Sequence, residues 1–191
     1  MKKVLMFVYD SFAEFEVSIL ITCLSGKKTN IDLFTCSDKA AGETVTSTGR
    51  MKVMPDLTLD EVNPEDYCAL IIPGGSPFTL FENKKVISMV RSFFDQNILI
   101  GAICGGPGLL GAAGIFEHVQ YTASLTKDDM EYLHVLNWEN KRDELLVVDQ
   151  NVVTATGSNY IQFAEEILRQ LNIVPKTEEY PLQYFREPSL A

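Results

Sequence analysis

Short apolar runs rich in β-branched residues alternate along this chain with stretches of helical periodicity. Lys3-Val4-Leu5-Met6-Phe7-Val8, Cys68-Ala69-Leu70-Ile71-Ile72 and the run from Ile98 to Ile103 read as strands buried on both faces of a parallel sheet. Ile31-Asp32-Leu33-Phe34-Thr35 is a further strand in the same series. Between them, helices are predicted from Glu14 to a stop at Ser25-Gly26, and over 83–96 with Val86, Ile87, Val90 and Phe93-Phe94 inward. A third helix runs from the end of the fourth core strand to Gly114, and a last amphipathic helix covers 160–171. Residues 38–57 mix turn residues with alternating positions and predict a small antiparallel excursion. Residues 119–125 read as another extended piece, and 126–134 as a polar helix or lid. Gln150-Asn151 between Leu145-Leu146-Val147-Val148-Asp149 and Val152-Val153-Thr154-Ala155-Thr156 signals a hairpin. The alternation predicts an α/β fold: a doubly wound, mostly parallel sheet sandwiched by helices, in one domain over 1–175. The tail 176–191 has no clear periodicity.

In sheets of this kind ligands bind beyond the carboxyl ends of the strands. Asp10, Gly74-Gly75 and Cys104 each follow a core strand, which places them along one edge. Cys104 stands where strand turns into helix, followed by Gly105-Gly106-Pro107. Glycines there let neighbouring segments approach, proline suits a first helical turn, and the side chain at the junction is held clear of the backbone. This is a nucleophile elbow carrying a thiol, and the helix behind it is expected to favour the thiolate. Gly74, Gly75 and Gly105 offer backbone N–H groups unobstructed by side chains, as stabilisation of an oxyanion requires. Glu16, between Phe15 and Val17, is a carboxyl that burial would keep protonated and able to donate to the sulfur.

Composition narrows the chemistry. Among 191 residues the formal net charge is −10, which makes nucleic acid and anionic membranes poor partners. No apolar run approaches a membrane span, and Met1-Lys2-Lys3 leads into too short an apolar stretch for a secretory leader, so a cytoplasmic protein is expected. Cys23, Cys36, Cys68 and Cys104 are widely spaced, which indicates neither a zinc site nor a disulfide framework. Cys23, Cys36, Cys68 and Trp138 read as packing residues. With two histidines, His118 and His134, no multi-histidine metal site is expected.

Phe12-Ala13-Glu14-Phe15-Glu16, Ile72-Pro73-Gly74-Gly75 and Ala102-Ile103-Cys104-Gly105-Gly106-Pro107, in that order and separation, resemble the ThiJ/PfpI superfamily. This is the class I glutamine-amidotransferase-like superfamily, which includes the parkinsonism-linked protein deglycase. The resemblance runs from Lys2 to about Leu171, with Thr154-Ala155-Thr156-Gly157 as its last motif. It implies a flavodoxin-like fold, a cofactor-free site and a homodimer, to which the apolar run Val17-Ser18-Ile19-Leu20-Ile21-Thr22-Cys23-Leu24 would contribute. It matches Cys104 to the family's reactive cysteine, Glu16 to the glutamate that hydrogen-bonds it, and Gly74 and Gly75 to the backbone donors. Two departures follow. Members of the intracellular protease type carry histidine where Gly105 stands, and deglycase-like members bring one from the segment where Ala123 and Ser124 lie. Peptidase activity is therefore not expected unless His134 substitutes. Two readings remain: an amidase, hydrolase or glyoxalase/deglycase-type enzyme acting on a small electrophilic carbonyl or amide, or a redox or electrophile sensor without turnover.

Overall fold

The computed structural model describes residues 2–26, 29–179 and 181–186. Its main sheet has seven strands: β1 (Lys2–Phe7), β2 (Ile31–Ser37), β5 (Leu57–Thr58), β6 (Ala69–Ile72), β7 (Leu99–Ile103), β8 (Leu146–Asp149) and β9 (Val152–Ala155), in the order β5-β2-β1-β6-β7-β9-β8. Every pairing is parallel except that of β8 with β9, the hairpin at one edge. β6 and β9 are buried along their whole length, and β7 nearly so, as strands covered on both faces must be. A two-stranded ribbon, β3 (Val45–Thr46) with β4 (Lys52–Val53), forms the excursion between β2 and β5.

Four helices flank the sheet: α1 (Phe15–Leu24), α2 (Lys84–Asp95), α3 (Pro107–Ala112) and α4 (Tyr160–Gln170). α1 packs on α4, and α2 on α3. The Asn83 side chain accepts from the Lys85 and Val86 N–H groups and so caps α2. Gly101 in β7 leaves the space that Ile167 and Phe163 of α4 fill; a β-carbon there would lie 2.6 Å from Ile167 Cδ1. This is a flavodoxin-like α/β fold. No helix among the described residues is long and apolar enough to cross a membrane.

Two expected elements take other forms. Residues 119–125 contribute only an isolated bridge between Tyr121 and Lys141. Residues 126–134 contain no α-helix, only the short 3-10 turn Met130–Tyr132. There the Asp129 carboxylate accepts from the Thr126 N–H (2.7 Å) and hydroxyl (3.2 Å), which fastens a loop instead of starting a helix. Beyond α4 the chain returns to the helix. Glu165, 2% exposed, accepts from the Leu182 N–H (3.2 Å) and pairs with Arg186 (2.5 Å).

Candidate functional site

The chain order reverses between β1 and β6, the crevice position at which doubly wound sheets hold ligands. Four adjacent parallel strands deliver the site there: β1 leads to Glu16, β6 to Gly74, β7 to Cys104 and β9 to Gly157.

Cys104 adopts φ +61°, a left-handed conformation that costs a β-carbon-bearing residue about 1–2 kcal/mol. Neighbouring segments hold it in place. Its N–H donates to the Ala155 carbonyl (2.9 Å), its carbonyl accepts from Ser124 N–H (3.1 Å), and Gly106 N–H closes the turn on Ile103 O (2.9 Å). Gly106 is needed there, since a β-carbon would lie 2.7 Å from Pro73 O and 2.9 Å from Ile72 O.

Glu16 is 3% exposed in the first turn of α1. Its Oε2 accepts the Gly74 N–H at 2.9 Å, and its carboxyl is hydrogen-bonded to Cys104. Glycines enclose this pair. A β-carbon at Gly74 would collide with Glu16 Oε2, and one at Gly157 would lie 2.7 Å from Glu16 Oε1 and 3.0 Å from Cys104 Sγ. Gly157 N–H donates to Ser124 Oγ at 2.7 Å, and Ser124 in turn hydrogen-bonds the Cys104 side chain. Tyr9, buried at the end of β1, donates its hydroxyl to the Pro73 and Gly74 carbonyls (2.9 and 2.8 Å) and pins the glycine turn beside Glu16.

The electrostatics differ from the expectation of an acidified thiol. Burial, then the charge of Glu16, then the bond to that carboxylate push Cys104 up to about 11; Ser124 and the Gly105 N–H pull the other way. The reason is geometric. α3 begins only at Pro107 and has six residues, so its dipole is too short and too distant to offset burial beside a carboxylate. Burial likewise raises Glu16, against the hydrogen bonds to Cys104 and Gly74. Two anions in contact are unfavourable, so the pair retains one proton and titrates as a unit.

The structure brings Cys104, Glu16, Gly74, Gly75 and Gly105 together, with one change of role. The Gly74 N–H is occupied by Glu16, so it is not a free donor. The N–H groups of Gly75 (φ +110°) and Gly105 donate to no carbonyl or carboxylate among the described residues. His134 is exposed and lies edge-on to Phe81, ring centroids 6.4 Å apart, and His118 is also exposed. Asp10 faces outward and pairs with Lys39 at 2.7 Å. Sequence reasoning missed Gly157, Ser124 and Tyr9 as parts of the site. The position of Thr156-Gly157 just past a core strand was the available signal for Gly157. Among the described residues no group of three or more His, Cys, Asp or Glu is placed to hold a metal ion.

A flavodoxin-like α/β sheet with a cysteine at a strained strand-to-helix elbow, paired to a buried glutamate, defines the class. The model of the DJ-1/PfpI family matches residues 2–170, and the chain belongs to that family. The deglycase PH1704 of Pyrococcus horikoshii is 37% identical over 59% of this chain, which covers 66% of that protein's length. The uncharacterized protease YdeA of Bacillus subtilis is 28% identical over 90% of this chain and 84% of its own. The crystal structure of the DJ-1 superfamily protein Atu0886 from Agrobacterium tumefaciens superposes with a TM-score of 0.81 at 30% identity, covering 97% of each chain.

Proposed function

We propose that this protein adds its Cys104 thiol to the carbonyl carbon of small reactive carbonyl compounds, a deglycase- or glyoxalase-type chemistry. The observation that carries the reading is the Cys104–Glu16 contact, sealed by Gly74 and Gly157. In the addition the S–C bond forms as the carbonyl π pair moves to oxygen. The thiol proton passes to Glu16 and from it to that oxygen, leaving a neutral hemithioacetal. A carboxyl whose proton burial makes harder to lose is suited to carry that proton both ways. The Gly75 N–H is the donor available to the oxygen as charge builds on it, while the Gly105 N–H already serves the Cys104 sulfur. Acyl transfer to a peptide bond fits less well, since no histidine pairs with the thiol and its side-chain partners are Glu16 and Ser124. The relative named a deglycase supports the carbonyl reading, and the one named a protease does not override the site's own residues.

Incubation with methylglyoxal, followed by its disappearance and by mass spectrometry of the Cys104 peptide, tests this. The expected result is consumption that Cys104→Ser abolishes. A stable adduct at Cys104 without consumption supports the electrophile-sensor reading instead. Absence of both adduct and consumption overturns the carbonyl reading. We propose further that the protein is a homodimer whose interface includes α1, where Ile19, Ile21 and Cys23 remain half-buried and Phe15 is 55% exposed.

A further inference from the structure

Three glycines spaced three apart, Gly105, Gly108 and Gly111, run from the elbow along α3 beneath the segment 126–136. Their missing side chains form its seat. A β-carbon at Gly108 would lie 2.7 Å from the rings of both Tyr132 and Phe81, and one at Gly111 would collide with the Val135 carbonyl. One at Gly105 would stand 3.2 Å from the Tyr132 hydroxyl. Turns close within the segment on either side of Tyr132, by Asp129 holding Thr126 and by the Val135 and Leu136 N–H groups returning to Tyr132 O (3.2 and 3.1 Å). The Tyr132 ring sits edge-on to Phe81 at 5.3 Å between centroids.

Tyr132 is consequently 6% exposed, and its hydroxyl has no hydrogen-bond partner among the described residues. It stands over Gly105, beside the reactive sulfur, near enough for Tyr132 and Cys104 to feel each other's charge. The Tyr132 ring carbons pack over Gly108 and against Phe81, while its hydroxyl is not sealed from solvent: the sealed, unpartnered side-chain atoms among the described residues are those of Tyr121 and Trp138. We propose that the Tyr132 hydroxyl is a substrate-facing donor, hydrogen-bonded to the oxygen of the carbonyl compound held at Cys104. Burial keeps the phenol protonated, so it donates and does not act as a base. As the thiol adds, the π pair moves to that oxygen, the Cys104 proton ends there, and Tyr132 strengthens its hydrogen bond without losing its own proton. This inference rests on the carbonyl reading above.

The test compares wild type with Tyr132→Phe. Protection of Cys104 by methylglyoxal against a disulfide reagent gives the carbonyl affinity. The bare rate with that reagent gives the intrinsic thiol reactivity. Tyr132→Phe is expected to weaken methylglyoxal binding about 10-fold, the scale of one good hydrogen bond, while the bare rate stays within about twofold. Equal methylglyoxal affinity in wild type and variant overturns the role of Tyr132 and leaves the carbonyl reading standing. Absence of protection in wild type removes both. Should Tyr132→Phe melt markedly earlier than wild type, the ultraviolet difference spectrum of wild type decides: adduct formation is expected to perturb a tyrosine, and a flat spectrum overturns the proposal.

Discussion

Gly157 stands so close to Cys104 that a β-carbon on it would lie 3.0 Å from the sulfur and 2.7 Å from Glu16 Oε1. The one-proton pair therefore fits only because Gly157, two residues beyond the end of β9, has no side chain. Gly157→Ala is expected to destabilise the fold by about 1–3 kcal/mol, the usual penalty for overpacking, and to slow alkylation of Cys104. Denaturant unfolding and mass-spectrometric alkylation rates measure the two effects. An alanine tolerated with unchanged rates would mean that the carboxyl and sulfur are not held against the end of β9.

Glu16→Gln and Glu16→Leu separate hydrogen bonding from charge. Both remove the neighbouring anion that raises the thiol, but only glutamine keeps an N–H donor for the thiolate. The Cys104 midpoint, read from alkylation rate against pH, is expected to be lower in Glu16→Gln than in Glu16→Leu. Coincident profiles would show that Glu16 does not bond the sulfur.

Stability should carry the same signature. Glu16 has a raised folded-state pKa, so the folded state holds its proton to higher pH than the unfolded chain does. Its contribution is thus full below the ordinary carboxylate range and is lost as pH rises through the folded value. Glu16→Gln cannot ionise and escapes that loss, so its Tm should exceed that of wild type at pH 7 and the gain should shrink towards pH 4. A gain independent of pH would point to packing instead of charge.

The Cys104 thiol adds a second window at the alkaline end. Its folded value of about 11 lies above the ordinary 9.0. The unfolded chain then releases this proton first, and stability falls as pH rises between the two values. Wild type should lose about 2–3 kcal/mol more than Cys104→Ala over that range, at roughly 1.4 kcal/mol per pH unit. Parallel curves for the two proteins would mean that the thiol is not held protonated.

The tail is expected to be structural. Arg186→Ala leaves the buried Glu165 carboxylate without its ion pair and should cost about 2–4 kcal/mol, whereas methylglyoxal handling at the elbow should not change. Urea unfolding alongside the carbonyl assay checks both. A variant as stable as wild type would show that the tail does not bind α4 in solution.

The sequence by itself determined the layers and the edge at which chemistry occurs. Fully apolar runs such as Leu70-Ile71-Ile72 have no stable position except a strand covered on both faces, and Gly105-Gly106-Pro107 after Ile103 encodes the elbow locally. Cys104 was legible for that reason, directly after β7, whereas Glu16, in the first turn of α1, was marked out by the family resemblance. Only the tertiary structure decided how these groups treat one another. Helix termini are visible in sequence, but the burial that pushes the thiol up arises from β6, β9 and α1 converging on it. The Gly74 N–H looked free until Glu16 arrived from 58 residues away to occupy it. Tyr132 lay in a polar stretch with helical composition; what buried it was the glycine face of α3, a contact between segments that no local pattern in either one specifies.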